Sequence, residues 1–210
     1  MALARLKVLK SKPLLNISTE TVDSELKLLL AATSSYVHSF CARVLESASY
    51  SDEYYSGDGS HTLYLTQWPV TAVTTVKIWD GTDSYDTETA TYYTLVDSRY
   101  LYYPAIGQES NSTYSKWPDK RNNIKITYTA GYATTSWATA AITDAFGVPA
   151  DLEMAVARLT MLRWMDGLGN EGRIGLQSLN PSGERETAQK FLTEMPYDIK
   201  MVLNSYRRKL

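Results

Sequence analysis

The chain has 210 residues, 44% hydrophobic and 21% charged, with a net charge of −2, which fits an ordinary globular protein of one domain, or one domain with an insertion, and argues against wholesale disorder. The near-neutral balance holds no basic surplus of the kind that drives general phosphate binding. Cys41 is the single cysteine, and His38 and His61 are the two histidines, so neither an intrachain disulfide nor a cysteine-based zinc site is expected.

The opening Met1-Ala-Leu-Ala-Arg-Leu-Lys7 is too short and too charged for a signal peptide or a membrane span, and no later stretch reaches membrane-helix length. A soluble protein with no membrane partner is the expectation. Up to about Ile17 the chain carries Lys and Pro with no clear period. Ser18 or Thr19 then offers a helix N-cap, with Glu20 and Asp23 in the first turn. Val22, Leu26, Leu29, Leu30, Val37, Phe40, Cys41 and Val44 recur at helical spacing, which predicts an amphipathic helix ending near Glu46. Its apolar stripe needs a partner, and the next helical segment comes only at Val148.

Between them the chain is rich in Tyr, Trp and Thr, residues that suit a pleated, half-buried surface. Gly57 and Gly59 flank Asp58 in a turn that feeds a strand over Thr62 to Thr66. Thr74 to Trp79 alternates, with Val76 and Ile78 on one face and Thr75 and Lys77 on the other. Asp80-Gly81 is a turn, and Tyr92 to Val96 and Arg99 to Tyr103 are further strands. Ile124 to Thr129 is the clearest strand: Ile124, Ile126 and Tyr128 share a face, and Gly131 ends it.

Thr134 to Phe146 reads as a polar, Ala-rich connector. Pro149 suits the start of a helix, where its missing N–H costs nothing. Leu152, Ala155, Val156 and Leu159, extended by Leu162, Trp164 and Met165, form that helix's stripe. Glycines at 167, 169, 172, 175 and 183 follow. They read either as a flexible connection or as a segment that orders on a partner. Glu184 to Thr193 offers a short helix broken by Pro196. Ile199, Val202, Leu203 and Tyr206 then give a last amphipathic segment that ends in Arg207-Arg208-Lys209.

No catalytic, cofactor or metal set emerges. His38 lies one turn from Cys41, the spacing of a thiol–imidazole pair, but Cys41 falls on the apolar stripe, where packing is the stronger reading. Asp80, Asp83 and Asp86 are three residues apart and lack the alternating oxygen ligands of a calcium loop. The Gly-Asp-Gly turn has no Gly-Lys-Ser/Thr after it, so it is not a phosphate loop. The Tyr/Trp-rich β surface keeps one alternative open, a carbohydrate-binding module whose flat rings stack on sugars.

Taken in order, the first helix through Phe40-Cys-Ala-Arg43, Tyr55-Ser-Gly-Asp-Gly-Ser60, Leu65-Thr-Gln-Trp-Pro-Val70, Ile126-Thr-Tyr-Thr-Ala-Gly-Tyr132 and Val148-Pro-Ala-Asp-Leu152 resemble the head–tail connector (adaptor) proteins of tailed bacteriophages. The resemblance runs from about Val22 to the C-terminus. It implies a structural protein of the virion neck, made in the host cytoplasm, with no catalysis and no cofactor. It also implies a homo-oligomeric ring, dodecameric in the family, that binds the portal protein on one side and a head-closure, tail-terminator or tail protein on the other. Genomic DNA would pass through the lumen without specific binding. By the same analogy the C-terminal Tyr206, Arg207, Arg208 and Lys209 would contact the portal.

The fold class expected is therefore α+β: an α-helical core, made of a long N-terminal helix plus C-terminal helices, with an inserted antiparallel β-rich subdomain. As a single connector domain over 1–210, the helical core would cover about 18–48 and 148–207. The β-rich insertion would cover about 52–132 and a flexible Gly-rich loop about 166–183. Asp80 to Trp117 is long and Tyr-rich, which points to an elaborated insertion.

Overall fold

The computed structural model describes residues 2–105, 114–134, 147–166 and 195–208. The chain is α+β and divides into two units, one formed by Met1–Arg43 with Ala133–Leu210 and the other by Val44–Tyr132. The sequence features expected at 167–194, including the glycine-rich stretch and the short helix, lie outside the described residues.

The first unit is helical: α1 (Leu6–Lys10), α2 (Asp23–Cys41), α3 (Ala150–Asp166) and α4 (Tyr197–Tyr206). Leu26, Leu30, Val37 and Cys41 of α2, Leu152, Val156 and Leu159 of α3, and Ile199 and Leu203 of α4 are all buried, which is the stripe read from their spacing. Two members of those stripes are on the surface instead: Val44, which lies past the end of α2, and Met165, in the last turn of α3. The unpatterned N-terminus is also core. Ala2, Leu3, Ala4, Leu6, Val8 and Leu9 are buried, and Leu6 and Leu9 pack with Leu26 beside Trp164 and Met161.

Helix α2 starts at Asp23, later than a Ser18 or Thr19 cap would have it, and Val22 in the N-cap position makes no side-chain cap. Asp23 and Glu25 occupy the first turn, where they face the positive end of the helix dipole, and Lys10 pairs with Asp23. The helix stops at Cys41 and not near Glu46. Ala42 turns left-handed at φ 53°, and the amides of Ala42 and Arg43 close back on Ser39 O (3.2 Å) and His38 O (3.3 Å). This is the double closure of a Schellman end, normally built on glycine. Ala42→Gly is expected to raise stability by about 0.5–1 kcal/mol, because a left-handed residue with a Cβ carries a steric cost of that order that outweighs glycine's extra unfolded-state freedom. A lower chemical-denaturation midpoint for the variant would refute it.

The second unit is antiparallel β. One sheet has the order β1-β7-β3-β4, from Ala48–Gly57, Lys120–Ala130, Val70–Trp79 and Tyr85–Thr87. The other has the order β2-β6-β5, from Thr62–Tyr64, Tyr100–Tyr102 and Thr94–Val96. The strand expected over Tyr92 to Val96 is shorter, Thr94–Val96, because a 3-10 turn at Ala90–Tyr92 takes its first residue. Leu63 and Leu101 from the smaller sheet, and Leu65 just after β2, share a core with Val76, Ile78, Ile124, Ile126 and Tyr128 from the larger, together with Tyr103 and Trp117.

Strand β1 is the element the sequence concealed. Its register against β7 slips between Tyr50 and Glu53 and again between Tyr55 and Gly57, with Asp52 at φ 50°. The bulges put Tyr50, Glu53, Tyr55 and Gly57 on the inner side, a spacing that is not period two and so does not read as a strand. Gly131 ends β7 at φ 108°, where a Cβ would stand 2.3 Å from Glu46 O; only glycine fits that crossing.

Candidate interaction site

The tail singled out in the sequence is bound to the C-terminal end of α2. The Arg43 Nε donates to Tyr206 O at 2.7 Å, and the Arg208 amide donates to Cys41 O at 2.9 Å. The Arg207 guanidinium lies 5.8 Å from the Phe40 ring centroid, and the Tyr206 hydroxyl donates to Asp151 Oδ1 at 2.7 Å. Three guanidinium-bearing residues thus gather at the negative end of the helix dipole, where the last carbonyls take their partners from outside the helix. Arg43 is buried, Arg208 is half-buried, and Arg207 is exposed. The four residues therefore separate by role: Tyr206 is half-buried and tethered to Asp151 by an exposed hydrogen bond, Arg207 and Arg208 lie beside the helix end, and Lys209 lies outside the described residues.

Cys41 is part of the same end. Its thiol points at Leu203 O, 3.6 Å away. Burial pushes its pKa up to about 11, against the opposing pull of the Arg43 and Arg207 cations. A thiol so placed is protonated at neutral pH and is a poor nucleophile. Labelling of Cys41 by a thiol reagent in the native protein is expected to be slower than in denaturant by at least tenfold; equal rates would show the site to be open.

The aromatic surface is largely committed. Tyr55, Tyr103, Tyr128 and Trp117 are in the core. On the outer face of the larger sheet, the Lys125 ammonium sits 4.0 Å from the Tyr85 ring centroid and 4.9 Å from that of Tyr54, and Trp79 packs edge-on to Tyr85. On the smaller sheet, Tyr64 and Tyr100 are tilted 49° to one another, and Arg99 covers Trp68. Rings that are tilted, or covered by cations, do not make the flat platform that sugar stacking needs.

Asp80 caps its own hairpin loop. Its carboxylate accepts the Thr82 and Ser84 amides and hydroxyls, and the Thr82 amide above all draws its pKa down to about 2. His61 stacks on Tyr102, and its Nδ1 lies 3.0 Å from Tyr103 O. Among the described residues there is no group of three or more His, Cys, Asp or Glu side chains that could hold a metal ion, and no helix long and apolar enough to cross a membrane.

Two polar clusters escaped the sequence reading. Arg5 and Glu153 are both buried, and their side chains form a fork: Nε to Oε1 at 2.8 Å and a second guanidinium nitrogen to Oε2 at 2.8 Å, with the Arg5 amide adding 3.0 Å to Oε1. In the β unit, the Glu53 carboxylate accepts Tyr55, Tyr128 and Thr66 hydroxyls, each at 2.6 Å. The available signal was a single charged residue inside an apolar run, at Arg5 and again at Glu153.

A family model for head completion proteins matches residues 7–209. The chain belongs to the head completion protein family. The connector resemblance carried by the ordered motifs is thereby upheld at family level. The fold is similar to that of a chain in the neck of an empty gene transfer agent particle with C6 symmetry, at 19% identity and a TM-score of 0.53, covering 97% of this chain and 90% of that one. The virion of the native gene transfer agent particle aligns at 17% identity and a TM-score of 0.45, over 93% of this chain and 82% of that one. The neck of the native particle with C12 symmetry aligns at 19% identity and 0.43, over 92% and 95%. At 19% identity the likeness to the empty-particle neck is one of fold. No curated protein matches the chain.

Proposed function

We propose that this head completion protein is a structural head–tail connector of the virion neck. It forms a ring that joins the portal vertex to head-closure or tail components and leaves a passage for the genome. The family match over 7–209 carries this reading, and the fold shared with a neck of C6 symmetry supports a cyclic assembly. The chain acts by assembly and not by catalysis. Each copy contributes a weak contact, and the ring multiplies it by avidity.

In this reading the whole chain works as one connector domain. The basic end at Arg207, Arg208 and Lys209 contacts the portal, held in place by the Tyr206 tether. Mixing the purified protein with purified portal and imaging by electron microscopy tests it. The expected product is a ring stacked coaxially on the portal. No complex, even with head-closure and tail components present, would overturn the reading. Arg207→Glu with Arg208→Glu is expected to weaken portal binding at least tenfold while the helical content is unchanged; undiminished binding would remove the tail from the contact.

A further inference from the structure

The chain just past α4 is held through its backbone. The Arg43 Nε donates to Tyr206 O at 2.7 Å, and the Arg207 amide donates to Asn204 O at 3.3 Å. The Arg208 amide donates to Cys41 O at 2.9 Å. The first two bonds fix the peptide unit before Arg207, and the third fixes the one after it. Both dihedrals of Arg207 are thereby set, at φ −69° and ψ 138°. An extended residue near a chain end is ordinarily poorly ordered unless something ties it down.

One partner in this clamp differs from the rest. Arg43 is 5% exposed, whereas Arg207 is exposed. Burying a guanidinium is costly, yet here its Nε is directed at a main-chain carbonyl of the tail. A charged donor makes the stronger kind of hydrogen bond, and an arginine keeps its charge at every pH where the fold stands. The bond to Tyr206 O is therefore permanent in a way that a neutral donor's would not be.

Resting on the portal-contact reading of the tail given above, we infer that Arg43 is a positioning residue for that contact. It holds Tyr206 O while Cys41 O takes the Arg208 amide, so that Arg207 and Arg208 are presented in one fixed direction. A segment that is ordered before it binds loses less freedom on binding. Arg43 is too buried to meet the partner itself, so it acts through the tail.

The test uses the full chain and purified portal. Arg43→Met is expected to speed hydrogen exchange at the Arg208 amide at least tenfold while exchange inside α2 and α3 is unchanged. Portal affinity should fall about tenfold, the effect of releasing the backbone of one residue. In a chain that already carries Arg207→Glu and Arg208→Glu, the same substitution should cost nothing more, because Arg43 has no contact of its own to lose. Unchanged affinity in Arg43→Met would overturn the inference, as would a loss that adds in full to that of the tail variant. A second pair of variants leaves the buried position untouched. Arg208→Pro lacks the amide that Cys41 O accepts and Arg208→Ala keeps it, while both lose the same charge. Arg208→Pro should bind portal severalfold more weakly than Arg208→Ala, and equal affinities would overturn the clamp. Undiminished binding by Arg207→Glu with Arg208→Glu would instead overturn the portal contact of the tail itself, whatever Arg43 does.

Discussion

Glu153→Ala is expected to destabilise the helical unit by about 3–5 kcal/mol, the cost of breaking a buried ion pair by removing one of its members. Arg5 and Glu153 are both buried, and the carboxylate accepts two guanidinium bonds and the Arg5 amide. Removing it leaves the guanidinium and an amide without that acceptor in a region shielded from water. With total stabilities of about 5–15 kcal/mol for a domain, a loss of that size is a large share of what holds the fold. Chemical denaturation reads it directly.

Arg5→Met with Glu153→Leu serves as the companion, readable even where the single variant is too unstable to measure. Replacing a buried ion pair by apolar side chains of similar size is often neutral, so the double variant should regain most of the loss. A Glu153→Ala protein within about 1 kcal/mol of the parent would show the pair to be well solvated. A double variant as unstable as the single would show that the fork supplies a geometry that packing does not replace.

The second large effect is expected at Glu53. Its carboxylate accepts three hydroxyl bonds at 2.6 Å, from Tyr55, Tyr128 and Thr66. Tyr128 also stacks on Tyr50 with centroids 5.2 Å apart, so the knot ties β1 and β7 to the segment after β2. Bonds to a charged group contribute about 1.5–3 kcal/mol each and are not additive, so Glu53→Ala is expected to cost about 3 kcal/mol or more.

The same cluster sets an alkaline limit. Burial first, and the bond to Glu53 second, push the Tyr55 pKa up to about 12, and the Tyr128 hydroxyl is raised by the same two causes. Both phenols are held protonated in the fold, so their contribution is fully present below the ordinary tyrosine value near 10. It is lost as pH rises from about 10 through about 12. An ultraviolet titration of the tyrosines should show a late group that ionises only as the β unit unfolds, and Tyr55→Phe should shrink that group. A single early transition with the fold intact would refute the assignment.

The parts of this protein that were legible in its sequence are those where a few neighbouring residues suffice. Val76 and Ile78, and Ile124, Ile126 and Tyr128, alternate and are buried. Leu26, Leu30, Val37 and Cys41 recur at helical spacing and are buried as well. Family membership was legible for the related reason that short motifs keep their order along the chain. The N-terminal residues were not legible, since Leu3 and Leu9 are core without a period long enough to detect.

What only the tertiary structure decided depends on partners far away in sequence. Arg5 and Glu153 are 148 positions apart, and neither position in the sequence names the other as its partner. Strand β1 is a strand because β7 pairs with it, and its two bulges erase the alternation that would have announced it. Helix α2 could have run on by composition, but Ala42 turns left-handed, and the Cys41 carbonyl is taken by the amide of Arg208 from the other end of the chain. Periodicity reports which side of an element is apolar. It holds no record of which distant group satisfies a buried charge or an open helix end, because that choice is made by the packing of the folded chain.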